Sequence, residues 1–100
     1  MGTDMGRAGE TERLMEAFCL LETPDEARAF LLDLLSKREI QDLAQRLEMA
    51  RLLDSGSSYN AVSEATGASS TTVSRVSKCL NGPEGGYRLV LGRLKGKGLA

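Results

Sequence analysis

This chain has no histidine, and its two cysteines, Cys19 and Cys79, stand far apart with no CxxC pair. A zinc site is therefore not expected, and the cysteines fit a reduced, cytosolic setting better than a disulfide scaffold. The missing imidazole also removes the commonest general base, and no Ser or Cys sits beside another plausible one. The glycine-rich run GPEGG at 82–86 lacks the spacing and the lysine of a phosphate-cradling loop, and Glu84 is its lone acid. The adjacent carboxylates Asp25 and Glu26 suit the positive end of a helix better than acid–base chemistry. An enzyme is not expected. Aromatics are scarce (Phe18, Phe30, Tyr59 and Tyr87), and no long alternating pattern marks a strand. The longest apolar run, around residues 14–21, is short and interrupted by Glu16, so neither a signal peptide nor a membrane span is expected.

What is present favours helices. The apolar content is mostly Leu, Ala, Val and Met, and 100 residues make one domain. A helical domain this small often completes its core by dimerising. The net charge of −1 hides an asymmetry. Residues 1–54 hold seven Lys/Arg against twelve Asp/Glu, whereas residues 55–100 hold six against two. A basic half on an otherwise acidic chain points towards nucleic acid.

Residues 1–9, with three glycines and little to bury, are expected to form a flexible arm. A first helix is expected over about 10–22, with Leu14, Ala17, Phe18 and Leu21 on one stripe. Thr23-Pro24-Asp25-Glu26 combines an N-cap, a proline at the first helical position and a capping-box glutamate. The helix it starts runs to about Leu35, and it is apolar over so much of its surface that a partner chain is expected to cover it. Ser36-Lys37-Arg38-Glu39 is a second capping box, opening a helix over about 37–54. Ile40, Leu43, Ala44, Leu47, Ala50 and Leu53 are expected on its core side, and Gln41, Asp42, Gln45, Glu48 and Arg51 on its wet side.

The stretch 58–80, SYNAVSEATGASSTTVSRVSKCL, reads as a helix-turn-helix. Val62, Ala65 and Thr66 line the first helix. Gly67 suits the sharp corner, because glycine takes a left-handed backbone at little cost. Ser69 or Ser70 caps the second helix, and Val73, Val76 and Leu80 make its buried stripe. The outer face carries Ser70, Thr71, Ser74, Arg75 and Lys78 and no acid. Short hydroxyls beside two cations suit base edges and phosphates. Tyr59 and Asn60, at the start of the first helix, are placed to donate to a phosphate. Asn81-Gly82-Pro83 stops the second helix. A last amphipathic helix with Tyr87, Val90, Leu91 and Leu94 follows, and then a loose tail over 96–100.

The order of six helices, with a helix-turn-helix at positions four and five, resembles the Trp repressor superfamily. The runs LLSKREIQDLAQRLEMARLLDSG, TGASSTTVSRV and GPEGGY are most similar to its group of small YerC/YecD-type bacterial proteins. The resemblance covers about residues 10–95. It implies an all-α, six-helix fold in an intertwined homodimer, with helices one, two, three and six building a shared core. It also implies that the second helix of the helix-turn-helix enters the major groove, with Ser69, Ser70, Thr71, Thr72 and Arg75 nearest the bases. Arg46 and Arg75 fall where the founding member's two arginines sandwich tryptophan, and Ser36 matches a hydroxyl at the start of helix three. Val76, however, stands where that pocket uses glycine, and the connection between helices three and four is one residue shorter. Both departures argue against tryptophan, so a small-molecule corepressor stays open and no cofactor is assigned.

The expectation is thus a DNA-binding transcriptional regulator, a repressor, that works on double-stranded DNA as a homodimer. Two rival readings fit the same residues. One is a helical dimer acting through protein contacts; the other is a helix-turn-helix accessory protein without an effector.

Overall fold

A computed structural model describes residues 2–100, with side chains from Ala8 onward. Six helices follow one another: α1 Gly2–Cys19, α2 Pro24–Leu34, α3 Lys37–Asp54, α4 Tyr59–Thr66, α5 Ser70–Leu80 and α6 Gly86–Gly96. There is no strand among the described residues, as the sequence pattern implies. Nor is any described helix long and apolar enough to cross a membrane. The chain divides into two compact units, residues 1–40 and 41–100.

Local capping sets the helix starts. Thr23 takes an extended backbone (φ −133°, ψ 158°), and its hydroxyl accepts the Glu26 N–H at 3.1 Å, with Pro24 in the first turn. The Glu26 carboxylate reaches back one residue further than a capping box requires and accepts from the Glu22 N–H at 2.9 Å. At the start of α3 the box is complete. Ser36 accepts the Glu39 N–H at 3.1 Å, and Glu39 accepts the Ser36 N–H at 2.9 Å. Two boundaries differ from expectation. The expected arm over 1–9 is helical from Gly2 on, and Met1 lies outside the described residues. α1 stops at Cys19 rather than near Glu22, because the Leu20 and Leu21 N–H groups bond only three residues back, in a tight turn.

In the first unit, the Phe18 and Phe30 rings meet edge to face, with centroids 5.6 Å apart. No residue of α2 is fully buried, and Ala27, Phe30 and Leu31 are half-buried. The second unit holds the core. Met49 and Ala50 of α3, Val62 of α4, Val73, Val76 and Leu80 of α5, and Leu91 of α6 are buried together. Leu52, Leu53, Ala68, Tyr87 and Leu94 pack against them. The expected core side of α3 is therefore met only in part, by the buried Ala50 and by Leu53 packed against the core. Leu43 and Leu47 are 45% and 36% exposed, and Met49 is buried beside Ala50. Below α6 the expected loose tail starts with an ordered turn. The Leu99 N–H donates to the Leu94 carbonyl at 2.8 Å around Gly98 (φ +71°).

The capping box makes a pH-dependent contribution. The Ser36 N–H, and secondarily its hydroxyl, hold the Glu39 carboxyl below its ordinary range. A depressed folded value stabilises the protein above the unfolded pKa, and the contribution is lost as pH falls through the folded one. Glu39→Gln keeps an acceptor but cannot titrate. Wild type should melt above this variant at neutral pH, and the gap should close as the pH falls below the ordinary carboxylate range. A gap that stays constant on acidification would show that the Glu39 charge contributes nothing at this cap.

Candidate nucleic-acid interface

The helix-turn-helix is built from hydroxyl caps around one glycine. Ser58 opens α4 by accepting the Ala61 N–H at 3.1 Å. Gly67 closes it in the left-handed region (φ 75°, ψ 4°), and its N–H bonds the Ser63 carbonyl at 2.8 Å. The space around Gly67 is open, so the requirement for glycine is backbone strain and not crowding. The Thr66 hydroxyl donates to the Val62 carbonyl at 2.7 Å and accepts the Ala68 N–H at 3.3 Å. Ser69 then caps α5. Its oxygen accepts the Thr72 N–H at 3.2 Å and lies 3.0 Å from the Thr72 hydroxyl.

Two long-range bonds clamp this corner. The Gln45 side chain, half-buried on α3, donates to the Thr66 carbonyl at 2.6 Å. The Tyr59 hydroxyl donates to Ser77 Oγ at 2.6 Å and so ties the first turn of α4 to the buried side of α5. Arg88 of α6 finishes the other end. Its guanidinium donates to the Leu80 and Gly82 carbonyls at 2.9 and 3.1 Å, which satisfies the open end of α5. Neither Gln45 nor Arg88 was legible as a positioning residue. Gln45 was expected on the wet side of α3, and a cation in an apolar stripe reads as solvated surface.

The buried side of α5 is Val73, Val76, Ser77 and Leu80. Ser70, Thr71, Arg75 and Lys78 are exposed and Ser74 is half-buried, on a helix with no acidic residue. The site residues expected from sequence therefore fall into two groups. Ser70, Thr71, Arg75 and Lys78 lie on the open surface of one helix, with Ser74 half-buried among them. Ser69 and Thr72 are engaged in its cap, and Tyr59 already gives its proton to Ser77. Asn60 is exposed on the first turn of α4.

Arg46 and Arg75 meet at a hollow of about 280 Å³, lined also by Thr72, Val76, Cys79 and Tyr87. Val76 is itself core, only 4% exposed, so its branched side chain takes volume on the inner side of that hollow. Burial first, and Cys79 second, push the Tyr87 phenol above its ordinary range against the opposing charge of Arg46. Ser36, the third residue expected at an effector pocket, has its N–H and hydroxyl engaged in the cap of α3. A larger hollow of about 630 Å³ is lined mainly by apolar atoms, among them those of Leu47, Pro83, Tyr87 and Val90. No cluster among the described residues could hold a metal ion.

Comparison with known proteins gives a consistent match. The family model described as Trp repressor protein matches residues 10–95. The Bacillus subtilis (strain 168) protein YerC is 41% identical over 95 residues, which cover 95% of this chain and 91% of that protein. The crystal structure of a TrpR-like protein from Eubacterium eligens superposes with a TM-score of 0.80 at 40% identity, covering 87% of this chain and 90% of that one. A crystal structure from Staphylococcus aureus gives a TM-score of 0.81 at 33% identity, over 95% of both chains.

The clamp at the corner has a measurable strength. Gln45→Leu keeps the bulk of the side chain but leaves the Thr66 carbonyl without its donor. Losing a partner of this kind should lower the unfolding free energy by about 1–3 kcal/mol in urea titrations. An unchanged midpoint and slope would show that the corner holds without Gln45.

Proposed function

The chain belongs to the Trp repressor family, a family of helical DNA-binding regulators and not of enzymes, and from that premise we propose that it is a sequence-specific transcriptional repressor. It acts in the cytoplasm on double-stranded DNA as a homodimer, with α5 in the major groove. The observation that carries this reading is the open surface of α5. Ser70, Thr71, Ser74, Arg75 and Lys78 stand on a helix without an acid, presented by a corner with only one favourable backbone. Helices docked in this way read base edges with their first turns, while nearby cations and amides hold the phosphates.

The roles divide according to which groups are already bonded. Ser70, Thr71 and Arg75 read bases, and Lys78 and Asn60 contact phosphate. Ser69 and Thr72 shape the first turn of the reading helix. Tyr59 orients α4 through Ser77, and a phosphate contact from its hydroxyl would have to displace that bond. A small corepressor, where one is used, sits at the Arg46–Arg75 hollow. Its two guanidiniums favour an anionic group, and Val76 leaves poor room for an indole.

Dimerisation is supported by apolar surface that each unit leaves uncovered. In the first unit no residue of α2 is fully buried, and Leu32 and Leu34 are close to half exposed. In the second, Leu43, Leu89 and Val90 are similarly open. A stable monomer rarely exposes so much large apolar surface. A melting temperature that rises with protein concentration is expected from an obligate dimer. A concentration-independent value would argue for a monomer.

Arg75 gives the direct test of DNA reading. A binding site is first selected from a random duplex library, and Arg75→Ala is then titrated by fluorescence anisotropy. Loss of one good base contact should weaken binding by about 1–3 kcal/mol per contact. Equal binding of the variant and wild type would mean that α5 is not the reading helix.

A further inference from the structure

The second half of the chain carries six cations, and the reading helix accounts for only Arg75 and Lys78. Arg88 is engaged internally, bonded to the carbonyls at the end of α5. That leaves Arg93, Lys95 and Lys97, all exposed, at the end of α6. No acid lies on that helix. A helix C-terminus attracts cations, but its partial charge is only about half an elementary charge. Three full charges exceed what that attraction requires.

The position of this cluster matters more than its charge. Lys95 Nζ lies 2.6 Å from Asp54 Oδ2, at the last residue of α3. From Asp54 the chain passes through Ser55, Gly56, Ser57 and Ser58 into α4. Those five steps reach at most about 18 Å. The end of α6 therefore stands beside the connection that leads into the helix-turn-helix. Duplex DNA carries one charge per roughly 1.7 Å of axis, so a span of that length presents on the order of ten phosphates. The connecting residues are small and uncharged, and Asp54 is the only carboxylate from there to Glu64. Arg93 and Lys97, four residues apart, share one side of the helix end. Among the described residues neither makes an ion pair, whereas Lys95 is held by Asp54.

We propose that the end of α6 is a second DNA-contacting surface, in which Arg93 and Lys97 bind backbone phosphates flanking the site read by α5 while Asp54 withholds Lys95. This rests on the proposed DNA-binding function and adds to it a part that supplies affinity without sequence information. Each phosphate neutralised adds about 0.9 to the steepness with which log affinity falls with log salt concentration. Removing a free cation should flatten that dependence, and releasing a paired one should steepen it.

The experiment titrates a random-sequence duplex with wild type, the double variant Arg93→Ala/Lys97→Ala, and Asp54→Asn at several salt concentrations. The substituted side chains are exposed, and circular dichroism checks that helix content is kept. The double variant should lose about 0.9 of slope for each cation removed from the complex, and Asp54→Asn should bind more tightly with a steeper slope. Preference for a selected site over random duplex should be the same in all three. A wild-type slope in the double variant overturns the second surface, and a wild-type slope in Asp54→Asn overturns the withholding of Lys95. Arg75→Ala, run alongside, separates the two proposals. If it loses site preference while the double variant keeps the wild-type slope, the reading helix stands and the α6 surface falls. If it keeps full site preference, the fault lies with the reading helix.

Discussion

The chain reverses direction at Gly67, and everything that faces outward from α5 depends on how that corner is held. A left-handed residue leaves α4 and α5 at a set angle only if the ends of both helices are satisfied. Here the Gly67 N–H bonds Ser63, the Thr66 hydroxyl bridges Val62 and Ala68, and Ser69 caps α5. Gln45 then fixes the Thr66 carbonyl to α3 from outside the motif. Buried beneath this arrangement are Met49, Val62 and Val73, which leave no room for the corner to rock without opening a cavity.

The same polar groups cannot serve both folding and recognition. Serine and threonine are abundant around the corner, and the hydroxyls of Ser58, Thr66, Ser69 and Thr72 are engaged in caps or back-bonds. Tyr59 and Ser77 satisfy each other across α4 and α5. What remains open on α5 is a small set, Ser70, Thr71, Arg75 and Lys78, and its position is fixed by the groups that are engaged. The division follows from position along the helices. A hydroxyl at a helix start or facing a free carbonyl is taken by the backbone, even where it is exposed as at Ser58 and Ser69, whereas one further along the outward side of α5 keeps its capacity for a ligand.

α3 shows how an apolar pattern can be right along only part of a helix. The stripe through Ile40, Leu43, Ala44, Leu47, Ala50 and Leu53 fits helical periodicity throughout. At its far end Ala50 is buried beside Met49, and Leu53 packs against the core, whereas Leu43 and Leu47 are left largely open. Periodicity alone does not say which part of an apolar stripe a chain buries within itself and which part it leaves uncovered.

Helix identity, and most of the ends, were decided by local chemistry that the chain spells out: Thr23-Pro24, Ser36 with Glu39, Ser58, the glycine at 67, and Ser69. Each acts within four residues, so no distant contact is needed to fix it. The acid-free surface of α5 was legible for the same reason, since the spacing of Val73, Val76 and Leu80 determines which side remains outside. Tertiary structure alone decided that Tyr59 turns to Ser77, that Gln45 reaches Thr66, that Arg88 closes α5, and that Lys95 meets Asp54. Those partners lie eight to forty-one positions apart in the chain. No local rule couples residues at such separations, and only the packing of α3, α4, α5 and α6 around Met49 brings them together.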